Sequence, residues 1–507
     1  MTILYYLSPE LILTVFALLV LGLDLVWGAR GQERLGYITL AGFVLAFIAT
    51  LALFIPQTQV AVFCSICPVS ITPASVQQVQ DAMYVSDNFT NFFRIIATVA
   101  GMIILAGSFN YLRGRTPYRG EFYGLFLLAV LAMILMAGST NLLMIYLSTE
   151  FLSYMSYILT GFLRENRKSN EASIKYFLFG AVTSATMLYG ISLYYGASGS
   201  LDLVTIGQVF SRNSATQTLA LFGAALMIVG FGFKIALVPF HSWSPDAYEG
   251  APTPVTAFLS VGPKAAGFAI LARVFLTGIL VYQPSWVALL AVISILTMTL
   301  GNVIALTETN VKRMLAYSSI AQAGYMLIGL VGLAVGDKNQ LNGLNALLIY
   351  IFAYLFTNLG AFLIVIAIEN QTGAVDLSQY GGMIRRAPFL SAMLVFFFLS
   401  LAGIPPTAGF IGKFFVFTAA LNVGQGVLAA IGVVNSLISV FYYFRVIRPM
   451  FFEPALDATP IHSDRWLNAG IAIAGIMTLI IAIYPTPLFN LATNSALAMF
   501  GVNLALK

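Results

Sequence analysis

Long runs of apolar residues, separated by short polar stretches, fill almost the whole chain. A run of roughly 17 to 25 apolar residues is what an α-helix needs to cross the hydrocarbon core of a bilayer. Such runs predict helices over 9–27, 36–54, 91–110, 121–138, 141–162, 172–196, 218–248, 254–280, 286–306, 314–334, 342–368, 389–420, 425–449 and 467–490. The expected fold class is all-α and polytopic, with about fourteen transmembrane helices. Spans 218–248, 254–280 and 389–420 exceed a straight crossing, and two of them are interrupted by prolines, at Pro239 and in "GIPPTAG" around Pro406. Pro239 removes a backbone donor and is expected to end its helix near Val238.

Composition agrees with the pattern and removes other classes. The 507 residues are 60% hydrophobic and 8% charged, with a mean hydropathy of +0.92, more apolar surface than a water-soluble fold of this size can bury. The net charge of +5 would suggest a polyanionic partner in a soluble protein. Here the basic residues lie between spans and set orientation, so nucleic-acid binding is excluded. The opening "MTILYYLSPELILTVFALLVLGLDLVWG" has no basic n-region and reads as a retained first span.

Arg30 and Arg34 follow the first span, and Arg113, Arg115 and Arg119 the third. Arg164, Arg167 and Lys168 follow the fifth, Lys312 and Arg313 the ninth, Arg385 and Arg386 the eleventh, and Arg445, Arg448 and Arg465 the thirteenth. Alternate loops carry only Arg212 and Lys338. The positive-inside rule then puts loops after odd-numbered spans in the cytoplasm and both termini outside, as expected for a bacterial inner membrane.

The cysteines of "FCSICP", Cys64 and Cys67, fall in the long second loop, where a local disulfide or two idle thiols is the expectation. With only His241 and His462 elsewhere, two cysteines complete neither a zinc site nor an iron–sulfur cluster. The more informative residues are charges inside spans, since an ionisable group at a helix centre costs about 2.5–3.5 kcal/mol. Glu150, Lys234, Lys264 and Lys413 stand out, while Asp24 and Glu369 sit near helix ends and read as structural. Both proline breaks have a lysine close by: Lys234 five residues before Pro239, Lys413 seven after Pro406. Lys234 would lie at the negative end of its half-helix, favourable for a cation, and Lys413 would feel only the weak positive end of its own.

"YLSTEFLSY" (146–154) and "YSSIAQAGY" (317–325) match weakly at an offset of 171 residues. They make spans four to eight and nine to thirteen equivalent, and five helices per copy force the copies into inverted topology. The expected organisation is an N-terminal three-helix segment, 1–118; a first repeat, 119–283; a second repeat, 284–450; and a last helix with its tail, 451–507.

"EFLSYMSYILTGFLRENRKSNEASIKYFLFGA", "FGFKIALVPFHSWSPDAYEGAPTPVTAFLSVGPKAAGF", "KRMLAYSSIAQAGYMLIGL" and "LAGIPPTAGFIGKF" resemble the antiporter-like membrane subunits of respiratory complex I, proton-translocating NADH:quinone oxidoreductase. "SNEASIKYFLFGA", a lysine at 413 and a short tail are similar to the N-type branch, called subunit 2 in mitochondria. The resemblance implies that a glutamate of the fifth helix pairs with the lysine of the broken seventh, with further lysines in the eighth and the broken twelfth. These fall on Glu150, Lys234, Lys264 and Lys413, with His241, Tyr317 and Gln322 as further pathway candidates. Many relatives carry histidine in place of Gln322, so a proton step on that side chain is in doubt. The resemblance implies FMN, iron–sulfur clusters and quinone in partner subunits and no cofactor on this chain. A subunit of a related cation/proton antiporter or membrane-bound hydrogenase is the alternative, since it would share the lysines.

Overall fold

The computed structural model describes residues 2–28, 31–54, 83–212, 214–333, 342–455 and 459–499; Cys64 and Cys67 lie outside the described residues. The described residues form helices and three isolated bridges, with no strand among them. The principal helices are α1 (Ser8–Trp27), α2 (Gln32–Phe54), α3 (Asn88–Tyr111), α4 (Arg119–Gly138), α5 (Leu142–Thr160), α6 (Arg167–Ser198), α7 (Gln217–Ile235) and α8 (Trp243–Gly250). They continue with α9 (Thr253–Arg273), α10 (Gln283–Ala305), α11 (Val311–Val331), α12 (Asn342–Thr372), α13 (Pro388–Ala402), α14 (Ala408–Asn422), α15 (Gly426–Phe452) and α16 (Arg465–Ile483).

Among the described residues, thirteen helices are long and apolar enough to cross a membrane. The further crossing is shared by α13 and α14, of 15 residues each, which brings the spans to the expected fourteen. Helices α9, α11 and α12 are enclosed on nearly all sides, whereas α1 and α2 keep most of their surface outward. Of the four intramembrane charges singled out from the sequence, Lys264 lies on an enclosed helix, α9, while Glu150, Lys234 and Lys413 lie on α5, α7 and α14.

The two breaks are built alike. Helix α7 ends with Ala236 in the left-handed region (φ 60), and α13 ends with Gly403 at φ 85. In each, the residue after the left-handed one bonds back five residues, Leu237 N to Gly232 O at 2.7 Å and Ile404 N to Leu399 O at 3.0 Å, the Schellman closure. The last helical residues, Ile235 and Ala402, each stand four before a proline, Pro239 and Pro406. A proline ring clashes with the carbonyl four residues earlier in a helix, so termination falls at Ile235, three residues before the expected Val238.

The breaks are related by 167 residues (236 and 403, 239 and 406). Asparagine caps show a similar relation: Asn141 starts α5 and Asn310 starts α11, 169 residues apart. Each sits in an isolated antiparallel bridge, Asn141 with Asp202 and Asn310 with Asp376. Paired bonds close both bridges: Leu142 N to Leu201 O (2.8 Å) with Leu203 N to Thr140 O (3.1 Å), and Val311 N to Val375 O (2.8 Å) with Leu377 N to Thr309 O (2.8 Å). Equivalent breaks and bridges thus recur at 167–169 residues, beside the 171 of the tyrosine match.

Loops after odd-numbered spans gather on one face. Arg313 there contacts Asp246 at 2.7 Å, Glu249 at 3.1 Å and Glu308 at 3.4 Å, while Lys175 and Lys168 reach Asp246 and Glu249 at 2.8 and 2.9 Å. This network fixes the short α8 to the starts of α6 and α11. Two buried arginines hold the opposite face: Arg94 pairs with Glu10 at 2.7 Å, and Arg273 with Asp87 at 2.8 Å. Both lie inside predicted spans and were not among the intramembrane charges singled out from the sequence.

Candidate functional site

Lys234, Lys264 and Lys413 are 1%, 2% and 3% exposed, so each ammonium must find its partners inside the protein. Lys234 occupies the last turn of α7, and its Nζ donates to Ser153 Oγ of α5 at 2.8 Å. Gly267 of α9 makes room for the neighbouring Ile235, whose Cγ2 a Cβ there would overlap, and the Lys234 stem lies in ordinary contact beside it. Glu150 stands three residues before Ser153, hence on the same face of α5. Its carboxylate, however, accepts a hydrogen bond from Ser184 of α6, and no ion pair within 4.0 Å joins it to Lys234 among the described residues. The direct pairing implied by resemblance is thus absent from this conformation: one serine takes the acid and another the lysine.

Lys264 lies one residue after Pro263, inside α9. Pro263 supplies no N–H to the carbonyl of Leu259, a third association of proline with a buried lysine. Lys264 Nζ donates to both the carbonyl and the hydroxyl of Ser319 of α11, at 2.6 Å each. Tyr354 of α12 donates to the same hydroxyl at 2.9 Å, and Tyr248 of α8 stands 3.5 Å from it. Asn358 Nδ2 donates to Ser260 Oγ at 2.6 Å, one turn of α9 before Lys264.

Gln322, one turn after Ser319 and 1% exposed, donates to Leu401 O at the end of α13 at 3.0 Å and accepts from the Tyr350 hydroxyl. It therefore ties α11, one turn from Ser319, to the second break through hydrogen bonds, without a titrating group. Lys413, on α14, folds back across that break to donate to Ala402 O, the last carbonyl of α13, at 2.9 Å. It also donates to Ser436 Oγ of α15 at 2.8 Å and lies 4.6 Å from the centre of the Tyr325 ring. The sequence placed Lys413 at the positive end of its own half-helix. The structure instead seats its charge on the negative, carbonyl end of the preceding one, where a cation is favoured. All three ammonium donors of Lys413 have a counterpart, two oxygens and a ring face, whereas Lys234 has the single hydroxyl of Ser153.

His241 falls in the turn between α7 and α8, with Nδ1 buried and unpartnered among the described residues. Tyr317 is half-buried one turn after Arg313, beside the ion-pair face, and stands apart from the contacts of Ser319 and Gln322. Asp24 accepts from Gln32 Nε2 at 2.8 Å, and Glu369 accepts from Tyr111 and Thr253, so both acids tie helix ends together. The hydroxyls of Ser153, Ser184, Ser319 and Ser436 were not singled out from the sequence. Their only signal is recurrence on helix faces already carrying a charge.

A family model described as NADH:quinone oxidoreductase/Mrp antiporter, transmembrane, matches residues 139–439. The chain is 43% identical over 418 residues to the NADH-quinone oxidoreductase subunit N of Moorella thermoacetica, covering 82% of this chain and 86% of that protein. It is 39% identical over 503 residues to the NADH-quinone oxidoreductase subunit N 2 of Symbiobacterium thermophilum, covering 96% of each. A chain in the structure of respiratory complex I from Thermus thermophilus with bound aureothin superposes with a TM-score of 0.74 at 31% identity, covering 95% of this chain and 98% of that one.

Proposed function

The chain belongs to the NADH:quinone oxidoreductase/Mrp antiporter transmembrane family, and on that premise we propose that it is an N-type, proton-translocating subunit of an NADH:quinone oxidoreductase complex. The carrying observation is the set of three buried lysines beside the proline sites, Lys234, Lys264 and Lys413, each facing a hydroxyl or carbonyl, with Glu150 at one end. A structural spacer gains nothing from three desolvated ammonium groups that a leucine would replace without penalty.

In this reading a proton enters at Glu150, whose release from Ser184 brings the carboxylate toward Lys234 and stabilises the charged amine. Withdrawal of the acid leaves Lys234 with Ser153 as its hydrogen-bond partner and drives the proton toward Lys264. Ser319 and Tyr354 carry hydroxyls that both donate and accept, so they relay a proton, whereas Gln322 and the backbone carbonyls only orient. Water completes the path between Ser319 and Lys413. Asn358 Oδ1, buried and unpartnered among the described residues beside the Lys264 cluster, is a place for it. Lys413, seated on the Ala402 carbonyl, is the last acceptor before release.

The redox chemistry belongs to partner subunits carrying FMN, iron–sulfur clusters and the quinone site, and this chain contributes no redox group. The face with the ion-pair network is the cytoplasmic side of a bacterial inner membrane, with both termini opposite. Glu150→Gln and Lys234→Met test the reading in the assembled complex. Each is expected to leave subunit content unchanged and to lower coupled proton pumping by roughly tenfold or more, the scale of a lost proton-transfer group. Full pumping by either assembled variant removes that residue from the path.

A further inference from the structure

A cavity of about 310 Å³ opens on the ion-pair face, away from the lysine path. First-turn residues of α2, α4 and α16 line it, together with the end of α3. Helix N-terminal ends carry partial positive charge, so three of them around one cavity favour an anion. Of the acids present, Glu33 is taken by Arg113 at 3.5 Å, and Asp464 caps α16 by accepting from Trp466 N at 2.6 Å. Arg119 and Arg465 remain: among the described residues neither has an ion pair or hydrogen bond, and the Arg465 guanidinium lies 5.6 Å from the centre of the Trp466 ring, itself on the cavity wall. Two uncompensated guanidiniums then face a headgroup-sized space, and guanidinium matches the paired oxygens of phosphate.

The surroundings select the source of that phosphate. Tyr37, Phe109 and Trp466 form a triad on the cavity wall, with ring centres 5.6, 5.8 and 5.9 Å apart. Tyrosine and tryptophan beside arginine mark headgroup depth. Further along the same helices, Leu45 and Ile48 of α2 and Ile473 and Ile476 of α16 are exposed and offer an apolar surface to acyl chains. We propose that this cavity binds the phosphate of an anionic glycerophospholipid, through Arg119 and Arg465, with its chains along α2 and α16.

The test uses the whole complex, purified in mild detergent, with phospholipid per complex counted by native mass spectrometry. The double variant Arg119→Gln/Arg465→Gln is expected to lose one retained phospholipid, while Arg448→Gln, an exposed arginine elsewhere on that face, loses none. An unchanged count in the assembled double variant overturns the proposal. A photoactivatable phosphatidylglycerol in vesicles provides a readout on the unmodified complex, and labelling of this chain confined to peptides outside residues 33–48, 105–123 and 465–480 also overturns it. Suppression of that labelling by inorganic phosphate at equal concentration would assign the site to a free anion and contradict the lipid; undiminished labelling supports it.

Discussion

The lysines were legible because a charge inside an apolar run is expensive, and position alone marks it. What Lys413 touches was not legible, because its reach to Ala402 O depends on α14 folding back against α13. Arg94 and Arg273 escaped for a related reason: a charge near a span's end reads as snorkelling until its partner, 84 or 186 residues away, is seen. Gly403 shows how closely the second lysine is fitted. At φ +85 it has no Cβ, and one placed there would stand 2.7 Å from Lys413 Cδ. Its counterpart Ala236 adopts φ 60 with a side chain. Gly403→Ala is therefore expected to cost about 1–2 kcal/mol from backbone strain and more from displacing the lysine. Ala236→Gly should change stability by less than about 1 kcal/mol, since relief of strain is offset by the lost buried methyl and a freer unfolded chain. Thermal unfolding of the two assembled variants, followed by helical circular dichroism, checks the asymmetry; equal losses would contradict it.

Span positions were read correctly because length and hydropathy decide them, yet ends and breaks obey finer rules. The helices stop at Ile235 and Ala402, where Ala236 and Gly403 turn left-handed ahead of the prolines. Pro263 leaves α9 continuous, because the residues enclosing it hold the helix through the missing bond. The match at 171 residues rests on two tyrosines and a serine, whereas the identities that accompany the bridges and the breaks, Asn141 and Asn310, Asp202 and Asp376, Pro239 and Pro406, are single residues scattered along the chain. On the face opposite the ion-pair network, α3 starts at Asp87, whose carboxylate caps Thr90 N at 2.7 Å and pairs with Arg273 of α9. Burial alone would raise the Asp87 carboxyl, but the Arg273 guanidinium and hydrogen bonds from Arg273 and Thr90 hold it below the ordinary carboxylate range. Its contribution is thus complete above the unfolded-state value and is lost only as pH falls through the lower folded value. Asp87→Asn strands Arg273 in the protein and is expected to destabilise by about 3–5 kcal/mol. Unfolding measured from pH 5 to pH 8 should show a nearly constant deficit for this variant, and a deficit that vanishes at pH 5 would contradict the assignment.

At the scale of the molecule, the two helix breaks follow α7 and α13, and α9, α11 and α12 form an enclosed centre among the described residues. Lys264 sits at that centre, joined to α11 through Ser319 and flanked by the lysines of the two breaks. The account holds that protons crossing this subunit pass through it, bonded as it is to both the carbonyl and the hydroxyl of Ser319. The measurement that bears most directly on this is the ratio of protons moved to electrons delivered by the complete complex, reconstituted in sealed vesicles, with Lys264→Met against the unsubstituted protein. The account predicts an assembled complex whose proton-to-electron ratio falls and whose quinone reduction slows with it; an assembled Lys264→Met complex that keeps the full ratio at the full rate would contradict it.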